Sequence, residues 1–122
     1  MSAFVYDLVL EEGEEFVLPM VYKPGGVIVD LTGYTAAMAV RGTFDTVALL
    51  ELTHEVSTLG QILLGGADGA VTLTIKASAT VDICAGLAGQ YGVWDLFLFA
   101  PTGAPDKLVK GKVFGNRSAT VQ

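Results

Sequence analysis

Residues 29–42 read VDLTGYTAAMAVRG. The Asp30 carboxylate can accept a backbone N–H and form an Asx-turn. Gly33 follows, at a position suited to a backbone conformation that a Cβ would resist. From Tyr34 onward the side chains alternate. Tyr34, Ala36, Met38 and Val40 share one face, and Thr35, Ala37, Ala39 and Arg41 share the other. A period of two marks a half-buried strand. Asp30, Leu31, Gly33 and Tyr34 are therefore read as a turn scaffold, with Leu31 and Tyr34 pinning the turn to the core. The stretch sets where one strand ends and another begins, and it carries no chemistry.

The same period runs along the rest of the chain. Phe4, Tyr6, Leu8 and Leu10 alternate with Val5, Asp7 and Val9, so residues 3–10 are expected to form a strand. An acidic turn follows at Glu11, Glu12, Gly13, Glu14 and Glu15. Residues 16–22 form the next strand, with Phe16, Leu18 and Met20 on one face. Pro19 assigns it to a sheet edge or a bulge, because proline has no N–H to give a ladder. Strands are also expected at 47–53, 61–64 and 71–76. Asp68-Gly69 marks a hairpin, as both residues tolerate positive φ. Residues 78–85 depart from the period of two, and Ser78 is placed to cap one or two helical turns. Residues 91–99 and 107–114 supply the last strands. Eight or nine short strands at this spacing, with at most one short helix, predict an all-β sandwich in a single domain spanning 1–122. Residues 116–122 read as a polar tail, and 1–10 as an arm able to pair with a sheet edge in its own subunit or a neighbour.

Composition narrows the function. The 122 residues include seven Lys and Arg against 13 Asp and Glu, a net charge of −6. Nucleic-acid binding needs a basic face to displace counterions, so that class is disfavoured. Hydrophobic residues make up 52% and charged residues only 16%, and mean hydropathy is +0.55. No run approaches the length of about 20 apolar residues that spans a membrane. The N-terminus lacks the basic region of a secretory signal, so none is expected. Burial against other subunits is the simplest destination for the surplus apolar surface.

Chemistry-bearing residues are few. His54 is the single histidine and Cys84 the single cysteine, so neither a histidine-based metal cluster nor an internal disulfide can form. His54 reads as a loop histidine at a strand end. Cys84, in an apolar stretch, reads as a buried small hydrophobe rather than a nucleophile. The glutamates at 11–15 lack the ligand spacing of a calcium loop and read as a solvated turn that discourages edge pairing. Gly65-Gly66-Ala67-Asp68-Gly69 is followed by no lysine and opens no helix, so it is a hairpin rather than a phosphate cradle. Asn116-Arg117-Ser118 matches a glycosylation sequon, which carries little weight without a secretory signal. No catalytic, cofactor or metal site is expected.

The stretch at 91–99 is apolar on both faces. Tyr91, Val93, Asp95, Phe97 and Phe99 alternate with Gly92, Trp94, Leu96 and Leu98. Two readings stay open for the first set: cover by a loop or the short helix, or docking on a neighbouring subunit. As a candidate assembly strand, it would need a partner for Asp95, with Arg41 and Lys112 as candidates. Trp94, within the strand, is placed in the core.

Several motifs, in order along most of the chain, resemble a known group. They are Glu11-x-Gly13-x-x-Phe16, the turn scaffold with Met38, Val40 and Arg41, the hairpin at 66–75, Ser78 with Val81, Tyr91-x-x-x-Asp95-Leu96, and Leu108-Val-Lys-Gly-Lys-Val113. The set resembles small structural proteins of tailed bacteriophages, and specifically the immunoglobulin-like N-terminal domain of baseplate upper proteins. The long C-terminal receptor-binding or coiled-coil extension of those proteins has no counterpart here. The resemblance implies an immunoglobulin-like sandwich in a non-enzymatic virion component, made in the host cytoplasm. It implies other phage structural proteins as partners, and a homo-oligomer or multi-copy state in a symmetric assembly, without nucleic acid, membrane or cofactor. Tail, baseplate, neck or fibre attachment is the leading placement. Head decoration is the alternative, and a carbohydrate-binding adhesion module the third reading.

Overall fold

Alternation along the chain resolves into nine strands and one helix in the computed structural model, which describes residues 4–42 and 47–117. The strands are β1 (Phe4–Val5), β2 (Leu8–Glu11), β3 (Phe16–Val21), β4 (Thr35–Gly42), β5 (Ala48–Thr53), β6 (Gly60–Leu64), β7 (Ala70–Ile75), β8 (Gly92–Phe99) and β9 (Pro105–Asn116). The helix α1 (Ala77–Leu87) connects β7 to β8. One sheet runs β9-β8-β4-β5, with β1 and β2 both paired to the free side of β9; the other runs β3-β7-β6. Given the letters B, C, C′, D, E, F and G, strands β3 to β9 form a G-F-C-C′ sheet over a B-E-D sheet. That is the strand order of an immunoglobulin sandwich. Two-sheet packing buries Met38, Val40, Trp94, Leu96 and Leu98 from the larger sheet against Met20, Ile62, Leu73 and Ile75 from the smaller one.

The turn before β4 closes by local bonds. Asp30 Oδ1 accepts the Thr32 N–H at 2.9 Å and the Thr32 hydroxyl at 2.6 Å. These two bonds, the hydroxyl first, hold the Asp30 carboxyl below the usual carboxylate range. The Tyr34 N–H returns to the Leu31 carbonyl at 2.9 Å, and Gly33 sits at φ +83°. Leu31 is buried and its own N–H reaches the Gly66 carbonyl at 2.9 Å, tying the turn to the β6–β7 hairpin.

Four expectations need correction. The first strand is not continuous. β1 and β2 both run parallel to β9 in the same chain, with Val5 opposite Lys110 and Leu8 opposite Val113. Between them the ladder breaks at Tyr6 and Asp7. Gly111 faces Trp94 across the β8–β9 pair, and an added Cβ there would run into the Tyr6 carbonyl oxygen. The carbonyl turns into that space and accepts the Trp94 indole N–H at 2.8 Å. The Asp7 carboxylate then replaces a main-chain acceptor, taking the Lys112 N–H at 2.9 Å. Leu8 and Leu10 are therefore fully buried, whereas Phe4 and Tyr6 are left exposed rather than sharing their face.

The helix begins at Ala77 and has Lys76 in the capping position without a side-chain bond, so Ser78 is not the cap. The buried residues Ala79, Thr80, Ile83, Cys84 and Leu87 trace one helical face. The Asp68-Gly69 hairpin is not a two-residue turn. A short 3₁₀ turn at Gly66–Asp68 widens it, and only Gly66 and Gly69 take positive φ. Finally, β9 extends to Asn116, with Leu10 opposite Gly115 and Glu11 opposite Asn116. Sheet pairing thus claims the first residue of the expected tail; residues 1–3 of the arm and 118–122 of the tail lie outside the described residues.

Two substitutions test this framework. Gly111→Ala should cost about 1–3 kcal/mol through overpacking against Tyr6, read as a lower urea midpoint. Gly33→Val should cost a similar ~1–3 kcal/mol, since a β-branched residue resists that backbone region and its Cβ would lie 3.0 Å from Pro101. Unchanged midpoints would contradict these accounts of the two sites.

Candidate assembly surface

β8 presents two unlike faces because its side chains alternate through a central strand. Trp94, Leu96 and Leu98 are buried. On the other side Tyr91 is 41% and Val93 37% exposed, while Asp95, Phe97 and Phe99 are half-buried. Tyr91 immediately precedes the strand and continues its outward row. The helix packs mainly on β9, β5 and β2, so it does not cover this row. Instead the row is shielded by its own neighbours. The Phe97 and Phe99 rings stack with centroids 6.2 Å apart, and Tyr91 lies 6.4 Å from Phe114.

Cations from β9 complete the surface. Lys107 Nζ sits 5.2 Å from the Phe97 ring centroid and 3.7 Å from Asp95 Oδ2. Lys112 Nζ lies 5.0 Å from the Tyr91 ring centroid. Lys107, which sequence reading did not single out, is thus the cation at Asp95. Lys112 lies over Tyr91, and Arg41 stands opposite Val93 in the β4–β8 register. With the two side chains 38% and 40% exposed, the Lys107–Asp95 pair is screened by water and worth under about 1 kcal/mol. Its consequence is placement: the ring and the carboxylate hold the ammonium on the sheet. A shallow groove of about 480 Å³ runs between β1, β4, β8 and β9, bounded by Val93, Asp95, Arg41, Lys107, Lys110 and Lys112.

A register shift explains why sequence reading missed two of these lysines. Val109 pairs with Leu96 but Lys107 pairs with Phe97, so Leu108 is an extra residue in β9. Leu108 and Val109 are both buried, and Lys107 and Lys110 reach the same outer groove despite their odd spacing. Strict alternation puts them on opposite faces.

Burial pushes the Cys84 thiol up, and the Glu12 carboxylate adds to the effect; its sulfur lies 3.9 Å from the Leu10 and Asn116 carbonyls. The Gln61 amide donates to the His54 main-chain carbonyl at 3.0 Å, whereas the imidazole Nδ1 of His54 is buried with no hydrogen-bond partner among the described residues. Among the described residues, no group of three or more His, Cys, Asp or Glu is placed to hold a metal ion, and no helix is long and apolar enough to cross a membrane. The acidic turn is anchored as well as solvated. The Gly13 N–H donates to Thr80 Oγ1 at 3.2 Å, Arg117 meets Glu12 at 2.7 Å, and Asn116 donates to Glu11 at 2.7 Å.

A second shallow depression, about 380 Å³, lies between Phe4, Tyr22, Pro24 and Lys107. At its wall the Tyr22 hydroxyl donates to Asp106 on β9, tying the end of β3 to the opposite sheet. Burial first, and the Asp106 carboxylate second, push the Tyr22 phenol up to about 12. Compared with protein-family models and with curated proteins, the chain matches none.

The raised phenol has a pH consequence. An unfolded tyrosine ionises near pH 10, so the contribution of Tyr22 is complete below pH 10 and is lost as pH rises through about 12. The loss should be on the order of 2–3 kcal/mol. Urea unfolding between pH 9 and 12 should show it, and Tyr22→Phe should flatten that slope. Identical slopes in the two proteins would contradict the Tyr22–Asp106 tie.

Proposed function

We propose that this protein is a non-enzymatic structural component of a tailed bacteriophage particle, acting through protein–protein assembly in a tail, baseplate, neck or fibre-attachment position. The observation that carries the reading is the outward row of β8: five residues, four of them apolar, on a sheet face that no described element covers. Stable interfaces between permanent partners bury about 2,000 Å² or more and resemble a core cut in half. A half-exposed aromatic and aliphatic row in a chain that is 52% hydrophobic supports this use. The ordered phage-like motifs support the setting, and the immunoglobulin strand order agrees with them. The state of Cys84 supports this reading: it is buried, and burial pushes its thiol up. The carbohydrate-binding alternative loses its best residue, since Trp94 is 3% exposed with its indole N–H committed to Tyr6.

Mass spectrometry of purified virions encoded by the same genome tests the reading. The chain should be present at a symmetric copy number, and six, twelve or a few dozen copies would fit the proposed positions. Hundreds would assign it to head decoration instead. Val93→Asp should leave the unfolding midpoint nearly unchanged, because Val93 is a surface position, yet reduce incorporation severalfold. Virions lacking the chain would overturn the proposal.

A further inference from the structure

Charge is distributed unevenly over this molecule. Four of its seven cations, Arg41, Lys107, Lys110 and Lys112, line the groove on the outer face of β8 and β9, and among the described acids Asp7 and Asp95 line it with them. Elsewhere among the described residues three cations stand against ten acids. The groove is therefore a basic island on an acidic protein.

Two grooves cannot face each other, because that would bring like charges together, a contact that costs several kcal/mol. The complementary surface is at the β2–β3 turn. It holds four glutamates in five residues, Glu11, Glu12, Glu14 and Glu15. Its backbone is fixed by the Gly13–Thr80 bond, by the Glu14 N–H on the Glu11 carbonyl at 3.0 Å, and by a Thr80 hydroxyl within 3.0 Å of the Glu14 carbonyl. A turn ordered in advance loses little entropy on docking. Glu14 and Glu15 are exposed at its tip, and Lys76, at 3.5 Å from Glu15, is itself half-exposed and easily displaced.

We infer that the groove binds the acidic β2–β3 turn of a second copy of this chain, so that copies join through two different surfaces. The inference rests on the reading of this face as an assembly surface and names its partner. Val93 and the stacked phenylalanines supply apolar contact, and the lysines select the turn. Because the two surfaces differ, repetition of the contact gives a reciprocal dimer, a closed ring or an open chain according to the rotation between copies.

Charge reversal in the purified protein tests this. Sedimentation should show self-association at low salt that weakens at least tenfold at about 1 M salt, where the Debye length is only ~3 Å. The double variant Lys110→Glu/Lys112→Glu should be monomeric, and so should Glu14→Lys/Glu15→Lys. All four side chains are exposed, and circular dichroism should confirm that both variants fold. Mixing the two variants should restore association, since an acidic groove then meets a basic turn and a basic groove an acidic one. A wild-type chain that stays monomeric, either variant alone associating like wild type, or a mixture that fails to associate would each overturn the inference. A chain present in virions but monomeric in solution overturns this inference alone. A self-associating chain absent from virions overturns the proposed function and leaves the pairing intact.

Discussion

The missing side chain at Gly111 sets the edge of the larger sheet. A Cβ at that position would occupy the space taken by the Tyr6 carbonyl. Because the space is open, the first strand can dip toward the sheet, and the buried Trp94 finds an acceptor for its indole N–H. A buried tryptophan without one would carry a penalty of roughly 1–3 kcal/mol. The dip breaks the ladder, and the Asp7 carboxylate restores the lost acceptor at Lys112. Leu8 and Leu10 then enter the core beside α1. One glycine thus links the edge of the larger sheet, the core tryptophan and the start of the chain.

That arrangement also shapes the outer face. With β1 and β2 on β9, the strand β9 is no longer an edge and its lysines project from the middle of a sheet. There they lie over aromatic rings from β8 and next to Asp95. A lysine on a free edge would defend against strand pairing. The same residue within a sheet face instead presents a fixed positive charge. The Tyr22–Asp106 bond clamps the two sheets at the end of β3, and Thr80 fastens the acidic turn to the helix. Fixed charges of opposite sign at two separate places result.

Much of the architecture was legible in residue order. The turn at Asp30–Tyr34, the two alternating faces of β4, the edge position of β3 as one of two readings of Pro19 and the burial of Cys84 all follow from side-chain type and period. These features are local: a carboxylate within reach of its own backbone, a glycine at positive φ, alternation over six or more residues. The outward row of β8 was legible for the same reason, although its fate was not. Whether a loop covered it depended on where the helix packed, which no stretch of eight residues encodes. The helix was shorter in the reading than in the structure because its ends are set by packing on β9 and β5 and not by a capping side chain.

The sequence by itself determined the period, and through it the sandwich and the inward faces. Only the tertiary structure decided how the first strand pairs and where the cations gather. Parallel pairing of β1 and β2 with β9 joins residues more than 100 positions apart, and its break depends on the absence of a side chain on the partner strand. The gathering of Lys107, Lys110 and Lys112 depends on the extra residue Leu108, which reverses the alternation midway along β9. A bulge is invisible to a reading based on period, because it changes which face every later residue occupies. For that reason the groove, unlike the core, could be found only in three dimensions.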